Sequence, residues 1–235
     1  MARMKTRARQ REFGFTNWGG KRRGAGRKPK GDHAGVSHAR RPKLCERHPV
    51  LVTMRLRAGL PSLRAKDSHE LVRRSLSVSS ASDVFRVVEY SVQSNHLHML
   101  VEARDAHALS HGMNSLAVRL VRGLQKLWKL CGRLFADRYH ARSLLTPRAV
   151  RTALVYVLQN ARKHGAWIAR WPDVYSSGGS FGGWRGWKSE RAATAGIRDA
   201  VSSRTAWTVR AQTWLLSIGW RRHGLIGVLE APKHG

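Results

Sequence analysis

The segment Ser94-Asn95-His96-Leu97-His98-Met99-Leu100-Val101-Glu102 decides the fold. A polar turn leads into an apolar run, the pattern of a strand. Strand side chains alternate between faces, so Leu97, Met99 and Val101 share one face and His96 and His98 the other. The first face suits a core. The second sets two imidazoles side by side, as ordinary strand histidines or as a pair able to hold a divalent cation.

Upstream of this strand, Val84 to Val92 reads as another and Gln93-Ser94-Asn95 as the turn between them, which makes an antiparallel hairpin. Val50-Leu51-Val52-Thr53-Met54-Arg55-Leu56 follows Pro49 and is β-rich. Gly59, Pro61 and Ser62 end it. Asp67 or Ser68 is placed to cap a helix that carries Leu71, Val72 and Leu76. Downstream, Asp105 to Gly132 reads as a helix, because Leu109, Met113, Leu116, Leu120, Leu124, Leu127 and Leu130 recur at helical spacing. Leu134 to Leu145 is a fourth strand or an extended segment. Thr146-Pro147 opens a last helix, a cap followed by proline, that runs to His164 and stops at Gly165.

The first six elements of this β-α-β-β-α-β-α order predict an α+β, ferredoxin-like (split βαβ) fold. Its antiparallel sheet carries helices on one face, and a further helix follows. The histidine pair is expected on the opposite, open face.

The 235 residues include 44 Lys plus Arg but only 14 Asp plus Glu, a formal charge of +30. A field of this sign selects polyanions and gains from counterion release on DNA or RNA. Residues 1–41 hold 13 of the cationic residues against Glu12 and Asp32. Residues 1–44 are therefore expected to be a basic arm, disordered when free. Its Gly26-Arg27-Lys28-Pro29-Lys30 piece fits either a narrow minor groove or a solvated tail. Residues 45–165 form the expected folded domain, and residues 166–235 an extension. Seven of the nine tryptophans lie in that extension, interleaved with arginine. They serve either base stacking or packing against the domain. Cys45 and Cys131 are far apart and read as reduced thiols of a cytoplasmic protein. No apolar run approaches the ~20 residues of a membrane helix.

On the last expected helix, Tyr156, Asn160 and His164 are spaced by four and would stack along one face, with Leu154, Val157, Leu158 and Ala161 on the packing side. Such a tyrosine is either a core residue with a bonded hydroxyl or a nucleophile. A phenol is almost fully protonated at neutral pH, so attack on a phosphodiester needs a cation that polarises the phosphate. His96, His98 and an amide oxygen would supply three ligands for Mg²⁺ or Mn²⁺.

These features together resemble the single-tyrosine HUH transposases, in particular the REP-associated tyrosine transposases. The resemblance spans roughly residues 45–165. It is carried by His96-Leu97-His98 after Ser91-Val92-Gln93-Ser94-Asn95, by Arg138-Tyr139-His140-Ala141-Arg142 before Thr146-Pro147, and by Tyr156-Val157-Leu158-Gln159-Asn160. It implies a metal-dependent endonuclease and strand transferase acting on single-stranded, hairpin-containing DNA. Tyr156 would form a 5′-phosphotyrosine link and release a 3′-hydroxyl. His96 and His98 would be metal ligands, joined by Asn160 where the insertion-sequence branch of the family has Gln; His164 is an added candidate. DNA contacts are expected from Arg119, Arg122, Lys126 and Arg138, and from Arg27 and Lys28 of the arm. The family works as a monomer or a homodimer. A non-cleaving, domesticated DNA binder of the same fold is the alternative. An RNA-binding module of the RRM kind is disfavoured, because the sheet lacks the aromatic strand such modules use.

Overall fold

The structure is a computed structural model that describes residues 44–80, 82–163, 172–186 and 207–232. The arm with Arg27 and Lys28 lies outside those residues, as do His164, Gly165, Trp167, Trp171 and Trp187.

Four strands form an antiparallel sheet: β1 (Val50–Arg55), β2 (Phe85–Val92), β3 (His96–Ala103) and β4 (His140–Ser143), in the order β2-β3-β1-β4. Helix α1 (Lys66–Ser79) follows β1 and α2 (Ala106–Trp128) follows β3. This is the ferredoxin-like order that the hydrophobic pattern predicts. Alternation sorts the side chains. Val50, Val52 and Met54 of β1 and Leu97, Met99 and Val101 of β3 are buried in one core with Leu109, Met113, Leu116, Leu120 and Leu124 of α2. Helices α1 and α2 lie so close that a Cβ at Gly123 would sit 2.6 Å from Leu71 Cδ1.

Element ends depart from expectation for local reasons. Helix α1 starts at Lys66 after Ala65, and neither Asp67 nor Ser68 caps it. The Ser68 hydroxyl instead accepts from the Trp128 indole at 3.1 Å. Asp105 does cap α2, accepting from Ala108 N at 2.7 Å. That helix ends early because Lys129 turns left-handed at φ 53°. Strand β4 is confined to four residues, preceded by an isolated Leu56–Phe135 bridge. Helix α3 (Pro147–Leu158) is capped by Thr146 as expected. It breaks at Gln159, φ −110° and ψ 12°, before a single further turn, α4 (Asn160–Lys163).

The second face of the sheet is not left open. Val88 of β2 and Leu100 of β3 pack there under Val150, Leu154, Val157 and Leu158 of α3. The same cluster takes Phe181, Trp184, Leu215, Leu216, Trp220 and Ile226 from the C-terminal segment. Trp184 and Trp220 are thus core side chains, and Trp220→Ala would cost about 3–5 kcal/mol. The segment itself contains β5 (Trp184–Arg185) paired parallel to β6 (Ile226–Gly227), and a helical turn α5 (Trp214–Ser217).

Buried polar contacts fasten this segment to the domain. Glu102, at the end of β3, accepts from Gln212 N, Thr213 N and Thr213 Oγ1 while Arg86 pairs with it at 3.1 Å. Arg64 makes a two-pronged pair with Asp173. Arg151 of α3 pairs with Glu230 and donates to the carbonyl of Gly224. Among the described residues no helix is long and apolar enough to cross a membrane.

Candidate active site

The site lies where β3 meets α3. Antiparallel register places Thr53 opposite both His98 and His140, and Ser91 opposite His98. Directly opposed residues share a face. His140, Thr53, His98 and Ser91 therefore form one row across the sheet, and Arg55 with His96 the start of the next. The rings of His96 and His98 meet edge to face, 4.7 Å between centroids.

Both imidazoles are held from behind. His96 Nδ1 lies 2.8 Å from Asn95 Oδ1. An amide oxygen only accepts, so that nitrogen carries a proton, and in the neutral ring the lone pair falls on Nε2. His98 Nδ1 lies 2.9 Å from Thr53 Oγ1. That bond fixes the ring plane, because His98 is only 3% exposed and has no room to turn.

Tyr156 comes from α3, on the stripe Arg148, Thr152, Tyr156. Its hydroxyl lies 3.3 Å from His98 Nε2, with the two rings edge to face at 4.8 Å. The packing side of α3 is the expected one: Leu154, Val157 and Leu158 are buried, while Tyr156 is half-buried.

Asn160 behaves differently from the sequence expectation. The break at Gln159 removes the regular stacking of Tyr156 and Asn160 that a continuous helix would give. Asn160 is 0% exposed, and neither atom of its amide has a hydrogen-bond partner among the described residues. Gln159 turns the other way and donates to the carbonyls of Gly227 and Val228 at 3.2 and 3.0 Å.

These groups fit a divalent cation chemically. Two imidazoles, each steadied at Nδ1, and an orphaned buried amide are donor types that Mn²⁺ or Mg²⁺ accepts. Among the described residues no cluster of three or more His, Cys, Asp or Glu is placed to hold a metal. A cation here would thus lean on amide, phosphate and water oxygens beyond the two histidines.

The cationic residues expected at the DNA divide between the two faces. Arg119, Arg122 and Lys126 are exposed on α2, which packs on the face of the sheet away from Tyr156. Arg119 lines a groove of about 390 Å³ between α1 and α2, beside Asp67 and Glu70. Arg138 is exposed just before β4. On the tyrosine's own face stand exposed residues to which the sequence reading gives no DNA contact: Arg55 of β1, His140 and Arg142 of β4, and Arg148 of α3. Among the described residues Arg55, Arg142 and Arg148 form no ion pair. The strand pattern holds the signal for Arg55: Val50, Val52 and Met54 turn inward, so Thr53 and Arg55 must face the other way.

No protein-family model matches the chain, and no curated protein sequence matches it. Among solved structures it is similar to a REP-associated tyrosine transposase bound to a REP hairpin, with 14% identity and a TM-score of 0.49. That likeness covers 76% of this chain and 93% of the other. It is also similar to a bacterial tRNA(His) guanylyltransferase (Thg1)-like protein in complex with ATP, and to one in complex with GTP. Each shows 15% identity, a TM-score of 0.41 and coverage of 53% of this chain, against 60% and 66% of theirs.

Proposed function

We propose that the protein is a metal-dependent endonuclease and strand transferase for single-stranded, hairpin-containing DNA, with Tyr156 as the nucleophile. One observation carries this reading: a phenol and an imidazole 58 residues apart meet at 3.3 Å, beside a second imidazole. A phenol beside a cation-holding pair is the equipment for attack on a phosphodiester. The formal charge of +30 supports a nucleic acid as the source of that phosphodiester.

His96, His98 and the Asn160 amide oxygen would hold Mg²⁺ or Mn²⁺. The bound cation supplies polarisation of the scissile phosphate. The chain's own residues do the rest. Thr53 and Asn95 keep the two rings in place. Helix α3, pinned by Leu154, Val157 and Leu158 below and by the Arg151–Glu230 pair above, holds the phenol oxygen over the sheet. Arg55, Arg142 and Arg148, exposed on the same face and without an ion pair among the described residues, would guide the DNA backbone. In the reaction a Tyr156 O–P bond forms and the P–O3′ bond breaks. The phenol proton is released, and the departing 3′ oxygen takes one up.

The test is to incubate the protein with Mn²⁺ and a labelled single-stranded hairpin carrying flanking tails, then resolve the products on a denaturing gel. A protein–DNA adduct that forms with the wild type and vanishes in Tyr156→Phe is expected. Tight binding of the hairpin with no adduct in any divalent cation would leave a DNA binder and overturn the enzyme.

A further inference from the structure

A second cluster of unsatisfied polar groups lies away from Tyr156, at the start of α1. His69 is only 8% exposed, yet its Nε2 has no hydrogen-bond partner among the described residues. One turn on, the Nε of Arg73 is buried and also without a hydrogen-bond partner among the described residues. Both line a cavity of about 320 Å³ together with Lys66, Glu70, Tyr175 and Trp207. That volume is at the small end of ligand pockets.

The walls are aromatic and cationic. The Arg73 guanidinium lies over the Trp207 ring at 4.3 Å, and the Tyr175 ring stands 4.7 Å from His69. Tyr175 is held firmly: Arg64 lies 4.1 Å over its ring while gripping Asp173, and the Tyr175 carbonyl accepts from Val92 N. A buried polar atom left without a partner is costly, and both of these belong to side chains that line the cavity, so a polar guest there is favoured. Burial and the neighbouring Arg73 guanidinium push the His69 pKa down to about 4, so the ring is neutral at pH 7 and offers one donor and one acceptor. Neutral imidazole, indole and phenol suit a flat heteroaromatic ring. Lys66 and Arg73 suit the phosphate attached to it, and the Glu70 carboxylate can accept from an exocyclic amine.

We propose that this cavity receives one unpaired nucleotide of the bound DNA, its base stacked on the Arg73–Trp207 pair and read at its edge by His69. The proposal rests on the DNA-processing reading above and adds a second contact to it, outside the tyrosine site. The location supports this. Residues 173–177 run along the free edge of β2, where Ser176 bridges to Ser91 in the same row as His98. Two strand spacings, about 10 Å, therefore separate the His98 position from the backbone beside Tyr175. The cavity opens on the α1 side of that edge, so a single strand leaving the tyrosine reaches it by passing around β2.

The experiment measures binding of the full chain to three labelled hairpins by fluorescence anisotropy: one with a five-nucleotide tail, one with the same tail made of abasic sugars, and one with no tail. The wild type is expected to prefer the natural tail over the abasic one by ~10-fold, the size of one base–aromatic stack. Trp207→Ala and His69→Gln should remove that preference and leave abasic and tailless hairpins unchanged, whereas Trp207→Phe should keep most of it. Equal affinity for natural and abasic tails in the wild type would overturn the base pocket, as would a tail preference that survives both variants. A stronger preference for the same tail as RNA would overturn the DNA assignment. The phosphotyrosine adduct is scored separately in the same samples, so failure of the pocket and failure of the enzyme reading are distinguished.

Discussion

Thr53→Val removes one hydroxyl and should disable the site without harming the fold. The hydroxyl lies 2.9 Å from His98 Nδ1, and Thr53 sits in the middle of β1 with His98 on one side and His140 on the other. Valine has the same branching and a strand propensity as high, so packing and pairing survive. What is lost is the group that fixes the ring. Removing such an outer partner of a metal-binding histidine weakens metal affinity by roughly 10–100-fold, or about 1.4–2.8 kcal/mol at 1.4 kcal/mol per factor of ten. Two readouts separate positioning from simple damage. The first is Mn²⁺ binding without DNA, monitored through loss of the free-ion electron paramagnetic resonance signal. The second is the Mn²⁺ concentration that gives half-maximal adduct formation. Both midpoints should rise together by one to two orders of magnitude in Thr53→Val and return in Thr53→Ser, while the melting temperature moves by only a few degrees. Wild-type Mn²⁺ affinity in the valine variant would refute the view that Thr53 sets the imidazole.

Arg142→Ala and Arg148→Ala should each lower single-strand affinity, and each should reduce the slope of log affinity against log salt by ~0.7. Unchanged slopes would remove the DNA backbone from that strip. Glu102→Gln leaves the Arg86 guanidinium buried beside a neutral amide. It should cost about 3–5 kcal/mol and lower Tm by roughly 10 °C. His69 titrates at about 4 when folded, against an ordinary histidine value of 6.5 in the unfolded chain, so the unfolded chain binds a proton that the folded one refuses. Stability therefore falls as pH drops from 6.5 towards 4, by about 1–2 kcal/mol at pH 5 once solvent screening is allowed for, and urea titrations should find that loss absent in His69→Gln. Ending the chain at residue 171 removes Phe181, Trp184, Leu215, Leu216, Trp220 and Ile226 from the second core. At about 2 kcal/mol per buried side chain the loss rivals a domain's whole stability, so the shortened chain should aggregate or bind hydrophobic dyes.

Period-two and period-3.6 patterns make most of the sheet and its helices readable from the chain alone. The inward set Leu97, Met99 and Val101, the α2 stripe and the Thr146-Pro147 start are local properties of the sequence. Departures arise where a distant residue decides. The helix break at Gln159 coincides with bonds to carbonyls 68 and 69 residues away. The second face reads as open because nothing in residues 45–165 announces that Leu215, Leu216 and Trp220 will cover Leu100 and Leu154. The tryptophan-rich extension admits two readings, and burial divides it: Trp184 and Trp220 pack, whereas Trp214 is 46% exposed beside Arg222. Thr53 as the partner of His98 needs the β1–β3 register, which neither strand specifies alone.

The sheet sets limits on any route for DNA. Helices α1 and α2 fill one face, and α3 with the C-terminal segment roofs much of the β2–β3 half of the other. Among the described sheet residues, the exposed basic side chains of the second face are Arg55, His140 and Arg142 of the β1–β4 half, and α3 adds exposed Arg148. A strand entering there meets Tyr156 at the roof's edge before it can go further. The α2 cations lie behind the sheet and cannot touch the same nucleotide as the tyrosine. They can contact only DNA that has passed around an edge of the sheet, as the second arm of a folded hairpin would. On the proposed reading, a stem bound behind and a single strand that crosses in front and turns round the β2 edge would use both charged faces at once.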